Sequence, residues 1–160
     1  MSKEVILNLG SNLQNPKRNI GLAVEWLDKK CGKVIKASSL FHSKPWGYDS
    51  KNNFTNITLL LETNLTPEEL IQSIKNYEIA AGRTKNKTHS YQDRIIDIDI
   101  ILFEDEQINS GTLIIPHPKA HEREFVILPL IEIKCEIKSN NLQDQAKTLL
   151  EKSNQFIDAL

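Results

Sequence analysis

Apolar and polar residues alternate at Val5, Leu7 and Leu9 and give way at Gly10-Ser11-Asn12, the period-two pattern of a half-buried strand followed by a turn. Asn15-Pro16 supplies an N-cap and a first-turn proline. Ile20, Val24, Leu27 and Cys31 then recur at helical spacing up to Gly32, which predicts a helix. Val34 to Phe41 and Phe54 to Leu61 read as two further strands. Between them, Ser43-Lys44-Pro45-Trp46-Gly47-Tyr48-Asp49 is too rich in turn residues for regular structure. Thr66-Pro67-Glu68-Glu69 forms a capping box that opens a second helix, with Leu70, Ile74 and Tyr77 inward and Gly82 at its end. A basic connection from Arg83 to Asp93 leads into the β-branched run Arg94 to Phe103, which predicts a strand. Glu104 to Ser110 is turn-like, and Leu113 to Ile115 suits a short strand. His117 to Ile133 holds a short helix interrupted or ended by Pro129, and Leu142, Ala146, Leu149 and Leu150 predict a closing helix.

The order β-α-β-β-α-β with C-terminal additions is that of a ferredoxin-like α+β sandwich, with helices expected on one face of a largely antiparallel sheet. A chain of 160 residues is the size of one domain, here taken as 1–160, and buries roughly 68–70% of its unfolded surface. A hydrophobic share of 39% beside 26% charged residues excludes a disordered or fibrous class. Twenty basic residues against twenty-one acidic ones leave a net charge of -1, so no global field draws nucleic acid or an anionic membrane. No apolar stretch approaches the roughly 20 residues of a membrane span, and the N-terminus runs straight into a strand; a cytoplasmic protein is expected. Cys31 and Cys135 read as reduced core thiols.

The sharpest chemical feature is Asp97-Ile98-Asp99. On a strand both carboxylates project from one face, between Ile95, Ile101 and Phe103, while Ile96, Ile98, Ile100 and Leu102 fill the other. Two like charges in such surroundings are costly unless a cation or a shared proton neutralises them. Hard oxygens at this spacing suit Mg²⁺, whose shell is completed by water and substrate phosphates. Solvated aspartates on an edge strand would be the plainer reading. Arg83, Lys85, Lys87, His89 and Arg94, with Tyr91 among them, place cations next to the pair, as a phosphate site requires. Neither a P-loop nor a Rossmann glycine motif is present. Phe54-Thr55-Asn56 sets an aromatic plate and an amide on one strand face, a pairing suited to a flat heterocycle. His117-Pro-Lys119-Ala-His121-Glu-Arg123-Glu-Phe125 lacks a third metal ligand at a natural spacing and reads as a phosphate-facing loop.

Together these segments resemble the 6-hydroxymethyl-7,8-dihydropterin pyrophosphokinases. The resemblance runs through Leu9-Gly10-Ser11-Asn12-Leu13, Ser43-Lys44-Pro45-Trp46-Gly47, Phe54-Thr55-Asn56, Pro67-Glu68-Glu69-Leu70, Glu78 with Gly82-Arg83, Arg94 to Ile101, Pro116-His117, Arg123 and Phe125. It implies a ferredoxin-like fold and transfer of pyrophosphate from ATP to the pterin hydroxymethyl group, with release of AMP. It further implies two Mg²⁺ on Asp97 and Asp99, and Arg83 and Arg94 as catalytic cations. Glu78, Lys85, Tyr91, Ile100, His117 and Arg123 would line the nucleotide. Ser43, Pro45, Trp46, Phe54, Asn56 and Phe125 would hold the pterin. ATP and the pterin are the expected partners of a monomer. The family commonly has Gly-Pro-Arg after an aromatic, where this chain has Tyr91-Gln92-Asp93-Arg94, and either Lys85 or Lys87 could take the second cationic position. Two rivals stand beside this reading. A ferredoxin-like module that binds RNA or a small ligand without catalysis would not place carboxylates amid its basic residues, and a two-metal phosphohydrolase would need more groups to position water.

Overall fold

In chain order the elements are β1 (Lys3–Ser11), α1 (Pro16–Lys30), β2 (Lys33–Ala37), β3 (Phe41–Ser43), β4 (Phe54–Thr63), α2 (Pro67–Ala80), β5 (Asp97–Phe103), β6 (Ile108–Asn109), β7 (Ile114–Ile115), α3 (Glu124–Ile133) and α4 (Asn140–Asp158). The computed structural model describes residues 1–45, 51–82 and 93–158. The main sheet runs β2-β4-β1-β5 with β3 also paired to β4, and all these pairings are antiparallel. This is the βαββαβ order of the ferredoxin-like sandwich, to which the β6-β7 hairpin, α3 and α4 are added. Asn15 caps α1 by accepting from the Arg18 N–H, and Thr66 and Glu69 exchange both bonds of the capping box ahead of α2.

Helices cover both faces of the sheet, not one. Val5, Leu7 and Leu9 of β1 pack with Ile20, Ala23 and Leu27 of α1 and Leu70 and Ile74 of α2. On the other side Ile6, Leu60, Ile101 and Leu102 lie under Val126, Leu130 and Ile133 of α3 and Leu142, Ala146 and Leu149 of α4. The C-terminal additions supply this third layer, because central strands that are apolar on both sides need a cover on both. Glu4, buried on β1, ties that layer down by accepting from the Lys138 and Ser139 N–H groups ahead of α4.

Local departures from the sequence pattern have identifiable causes. The strand expected from Val34 to Phe41 is two, since Ser38 breaks it: its N–H donates to the Thr58 carbonyl and its hydroxyl accepts from the Thr58 N–H, replacing a ladder bond with a side chain. β1 continues through Ser11, beyond the turn expected at Gly10, and β5 begins at Asp97 instead of Arg94. Opposite Ile6 and Leu7, β5 carries one extra residue, because Ile6 pairs with Leu102 but Leu7 with Ile100. Beyond this bulge the faces exchange, so Leu102 joins the α3/α4 core and Phe103 the α1/α2 core, the reverse of strict alternation. Cys31 is buried, and its thiol is pushed up to about 11 by burial. Cys135 is a free thiol too but exposed, which corrects its assignment to the core.

Pro129 neither interrupts nor ends its helix; α3 runs through it. A proline there cannot donate to the Phe125 carbonyl one turn earlier. Asn8 of β1 supplies the missing donor: its Nδ2 lies 3.0 Å from that carbonyl and 3.0 Å from Thr58 Oγ1. Asn8→Ala should therefore destabilise the protein by about 1–3 kcal/mol. Adding Pro129→Ala, which restores an N–H at the required position, should recover part of that loss. Equilibrium denaturation of the two single variants and the double checks this, and purely additive losses would show that Asn8 acts through other contacts.

Candidate active site

Along the α3/α4 face, each of the three strands changes from apolar to polar at the same level. β4 reads Leu60, Thr58, Asn56; β1 reads Ile6, Asn8, Gly10; β5 reads Ile101, Asp99, Asp97. The register lays these in rows: Thr58, Asn8 and Asp99 are direct neighbours, as are Asn56, Gly10 and Asp97. Residues opposite one another in an antiparallel sheet share a face, so the row places an amide and a carboxylate on backbones roughly 10 Å apart, with only a glycine between. The apolar end of the face is roofed by α3 and α4; the polar end forms the floor of the candidate site.

On the β4 side, Asn56 is buried and its Nδ2 donates to the Ser43 hydroxyl at 3.0 Å. That bond fixes the amide so that Oδ1 lies over Gly10, where a Cβ would sit 2.6 Å from it and 3.4 Å from the Phe54 ring. Phe54 and Pro45 are half-buried. Phe125, in the first turn of α3, packs at the edge of the α3/α4 core, on the same face of the sheet.

On the β5 side, Asp97 and Asp99 are half-buried and face away from Ile98 and Ile100, whose side chains lie in the α1/α2 core. Ile100, expected to line the nucleotide, has its side chain buried in the α1/α2 core, as the alternation of the strand requires. Arg123, buried at the start of α3, extends Nη1 to 3.6 Å from Asp99 Oδ2, and its guanidinium stands 5.7 Å from the centre of the Phe125 ring. Glu78 is also buried: its Oε2 accepts from the Ile98 N–H at 2.9 Å, covering an outward-facing donor of the edge strand that carries the aspartates. The His117 N–H does the same for the Ile101 carbonyl. The His117 ring accepts at Nδ1 from the Lys119 N–H, and its pKa is brought down to about 4 by burial, with Arg123 and then Lys119 adding to the effect. Arg94 precedes β5, its N–H donating to Asn12 Oδ1 at 2.7 Å and its carbonyl accepting from the Asn12 N–H. Trp46, Arg83, Lys85, Lys87, His89 and Tyr91 lie outside the described residues.

Among the described residues, no three of His, Cys, Asp or Glu gather as a metal-binding group. Two carboxylates on one strand face, beside a buried arginine, suit a cation that takes few protein ligands and fills its shell from water and a phosphate ligand. Three residues of the site escaped the sequence pattern: Gly10, Asn12 and Asn8. The signals were there, a glycine inside a strand and buried asparagines interrupting apolar alternation, but their partners are about 40 to 120 residues away in sequence.

Gly10→Ala should displace the Asn56 amide and weaken binding of a heterocyclic ligand more than that of a nucleotide; titration calorimetry with each would show it, and equal affinities would mean that the strand yields without moving Asn56. The folded protein binds a proton at His117 less readily than the unfolded chain, whose imidazole keeps a value near 6.5. Stability should accordingly be full above that value and decline as the pH falls from about 6.5 towards 4. His117→Gln should flatten this decline in ligand-free melting curves; an identical slope in the variant would place the titration elsewhere.

Comparison with known proteins identifies the family of the chain. A family model described as 7,8-dihydro-6-hydroxymethylpterin-pyrophosphokinase (HPPK) matches residues 6–135. The 2-amino-4-hydroxy-6-hydroxymethyldihydropteridine pyrophosphokinase of Aquifex aeolicus is 38% identical over 130 residues, 81% of this chain and 79% of that one. The enzyme of the same name from Bacillus subtilis is 35% identical over 134 residues, 83% and 79% of the two chains. Among solved structures, wild-type Plasmodium falciparum HPPK-DHPS superposes with a TM-score of 0.68 at 17% identity. That match covers 99% of this chain and 45% of the other, so the chain spans less than half of that protein, and the likeness speaks for the fold. A match over most of the chain, carried by relatives of similar length, leaves one conclusion: the chain belongs to the 7,8-dihydro-6-hydroxymethylpterin-pyrophosphokinase family.

Proposed function

We infer that this protein transfers the pyrophosphoryl group of ATP to the hydroxymethyl group of 6-hydroxymethyl-7,8-dihydropterin, releasing AMP, in folate biosynthesis. The observation that supports the reading is the row Asn56-Gly10-Asp97, in which a glycine alone separates an amide suited to a ring edge from a carboxylate suited to a metal-bound phosphate. In this reading Phe54 and Phe125 hold the two faces of the pterin. Asn56 Oδ1, oriented by Ser43, accepts from the ring's N–H edge, with Pro45 and Trp46 completing the pocket. The hydroxymethyl oxygen attacks the β-phosphorus, the bond to the α-phosphate oxygen breaks, AMP departs and the hydroxyl proton is released to water. Arg94 and Arg123, with Arg83, Lys85 or Lys87, Tyr91 and His117, provide fixed positive charge and donors along the triphosphate. Glu78 acts from beneath by holding the strand of the aspartates.

Asp97 and Asp99 would hold Mg²⁺, two ions in the full reading, which would supply positive charge to the triphosphate as its own charge redistributes. A transition state of this kind is favoured by placement and fixed charge more than by covalent chemistry. On this reading the protein acts as a monomer in the cytoplasm, and its balanced net charge supports small-molecule partners over nucleic acid. Among the described residues no helix is long and apolar enough to cross a membrane.

Incubation with ATP, Mg²⁺ and the hydroxymethylpterin should yield AMP and the pyrophosphorylated pterin; free phosphate would favour a hydrolase, and no turnover a binding module. Asp97→Asn and Asp99→Asn should each remove most activity. Asp99→Asn should also lower the melting temperature, because it takes from the buried Arg123 the carboxylate 3.6 Å from its Nη1. A collapse of Asp97→Asn would assign that carboxylate to the fold.

A further inference from the structure

Asn12, at the end of β1, is 3% exposed and lies at the centre of a polar knot. Its backbone N–H donates to the Arg94 carbonyl at 3.0 Å, while its Oδ1 accepts from the Arg94 N–H at 2.7 Å. These two bonds grip residue 94 as a neighbouring strand would, just before the ladder of β5 begins. Asn12 Nδ2 donates to Asp93 Oδ1 at 2.8 Å and to the Asn52 carbonyl at 3.1 Å. Asn52 Nδ2 closes the ring on Asp93 Oδ2 at 3.1 Å. One side chain thus joins the segment entering the metal strand to the segment that reaches Phe54 two residues later.

We propose that Asn12 is a positioning residue that holds Arg94 against the transferring phosphates and keeps the pterin-side and nucleotide-side segments in one register. The polarity of the amide is what makes the knot possible. Oδ1 must accept from a backbone N–H while Nδ2 donates to a carboxylate and a carbonyl, and neither aspartate nor leucine, although close in size, offers both. A buried amide with this many partners resists small displacements. Misplacing a catalytic group by about 1 Å can cost on the order of a hundredfold in rate. The proposal rests on the reading of Arg94 as a cation that acts in the transfer step.

The test uses the full chain in four forms: Asn12→Asp, Asp93→Asn, the two combined, and Arg94→Ala. Asn12→Asp keeps the acceptor for Arg94 but turns an oxygen towards the Asp93 carboxylate. It should lower kcat roughly ten- to a hundredfold while changing the Kd of an ATP analogue little. The combined variant restores a donor opposite an acceptor, since the amide at position 93 can donate to the carboxylate at 12 and still accept from Asn52; it should regain part of the lost kcat, the Asn52 carbonyl still lacking its donor. Asp93→Asn alone, made at a half-exposed position, should lower kcat in the same direction and serves if Asn12→Asp fails to accumulate folded. A lowered melting temperature with kcat intact, or no recovery in the combined variant, would overturn the proposal. Full activity in Arg94→Ala would overturn the reading of Arg94 and the proposal with it; impairment there but not in Asn12→Asp or Asp93→Asn would overturn the proposal alone.

Discussion

The register of β1 against its two neighbours is the constraint on which the site depends. With β1 paired to β4 and β5 as observed, Asn56, Gly10 and Asp97 face α3, and Leu9, Ile57 and Ile98 face the opposite core. A slip of one residue in β5 would turn both aspartates into the α1/α2 core and Ile98 onto the face that carries Asn56. Burial of about a dozen large aliphatic side chains on the central strands therefore fixes the chemistry as well as the fold. The bulge at Ile101 lies beyond the aspartates, so the exchange of faces there leaves their orientation untouched.

Where apolar packing ends, buried polar side chains take over from the backbone ladder. Asn8 supplies the donor that Pro129 lacks, Ser38 stands in for a strand bond, Glu78 covers the Ile98 N–H, and Asn12 grips residue 94. Each bond is worth little net in a folded protein, but each would leave a costly orphan if broken. The polar groups thus add specificity of placement to a fold whose stability comes mainly from its two apolar cores. The effect concentrates where it matters, since Phe125, the aspartates and Arg94 all lie one residue or less from such a bond.

Much of this was legible in the chain. Period-two and helical spacing located β1, α1, α2 and α4, and the capping box at Thr66 formed as the residues required. Phe54 with Asn56, and Asp97 with Asp99, were recognisable because alternation on a strand decides which side chains share a face. Long-range effects were not legible. Nothing near Pro129 announces that an asparagine on β1 will rescue its helix, and nothing near Phe103 announces a bulge set by the partner strand. Strict alternation therefore misplaced Leu102 and Phe103, and average burial misplaced Cys135. The sequence shows α3 and α4 as additions but not as the cover of the apolar end beside the site, because a one-dimensional pattern does not say which face a helix will cover.

On the proposed function, the two substrates meet at Gly10, between the amide of Asn56 and the carboxylate of Asp97. The most direct measurement is a crystal structure of the protein with Mg²⁺, a non-hydrolysable ATP analogue and the hydroxymethylpterin. The expected result is the ring between Phe54 and Phe125, metal density on both Asp97 and Asp99, and the hydroxymethyl oxygen roughly 3–3.5 Å from the β-phosphorus. A pterin seated away from that row, or nucleotide bound with both carboxylates free of metal, would contradict it.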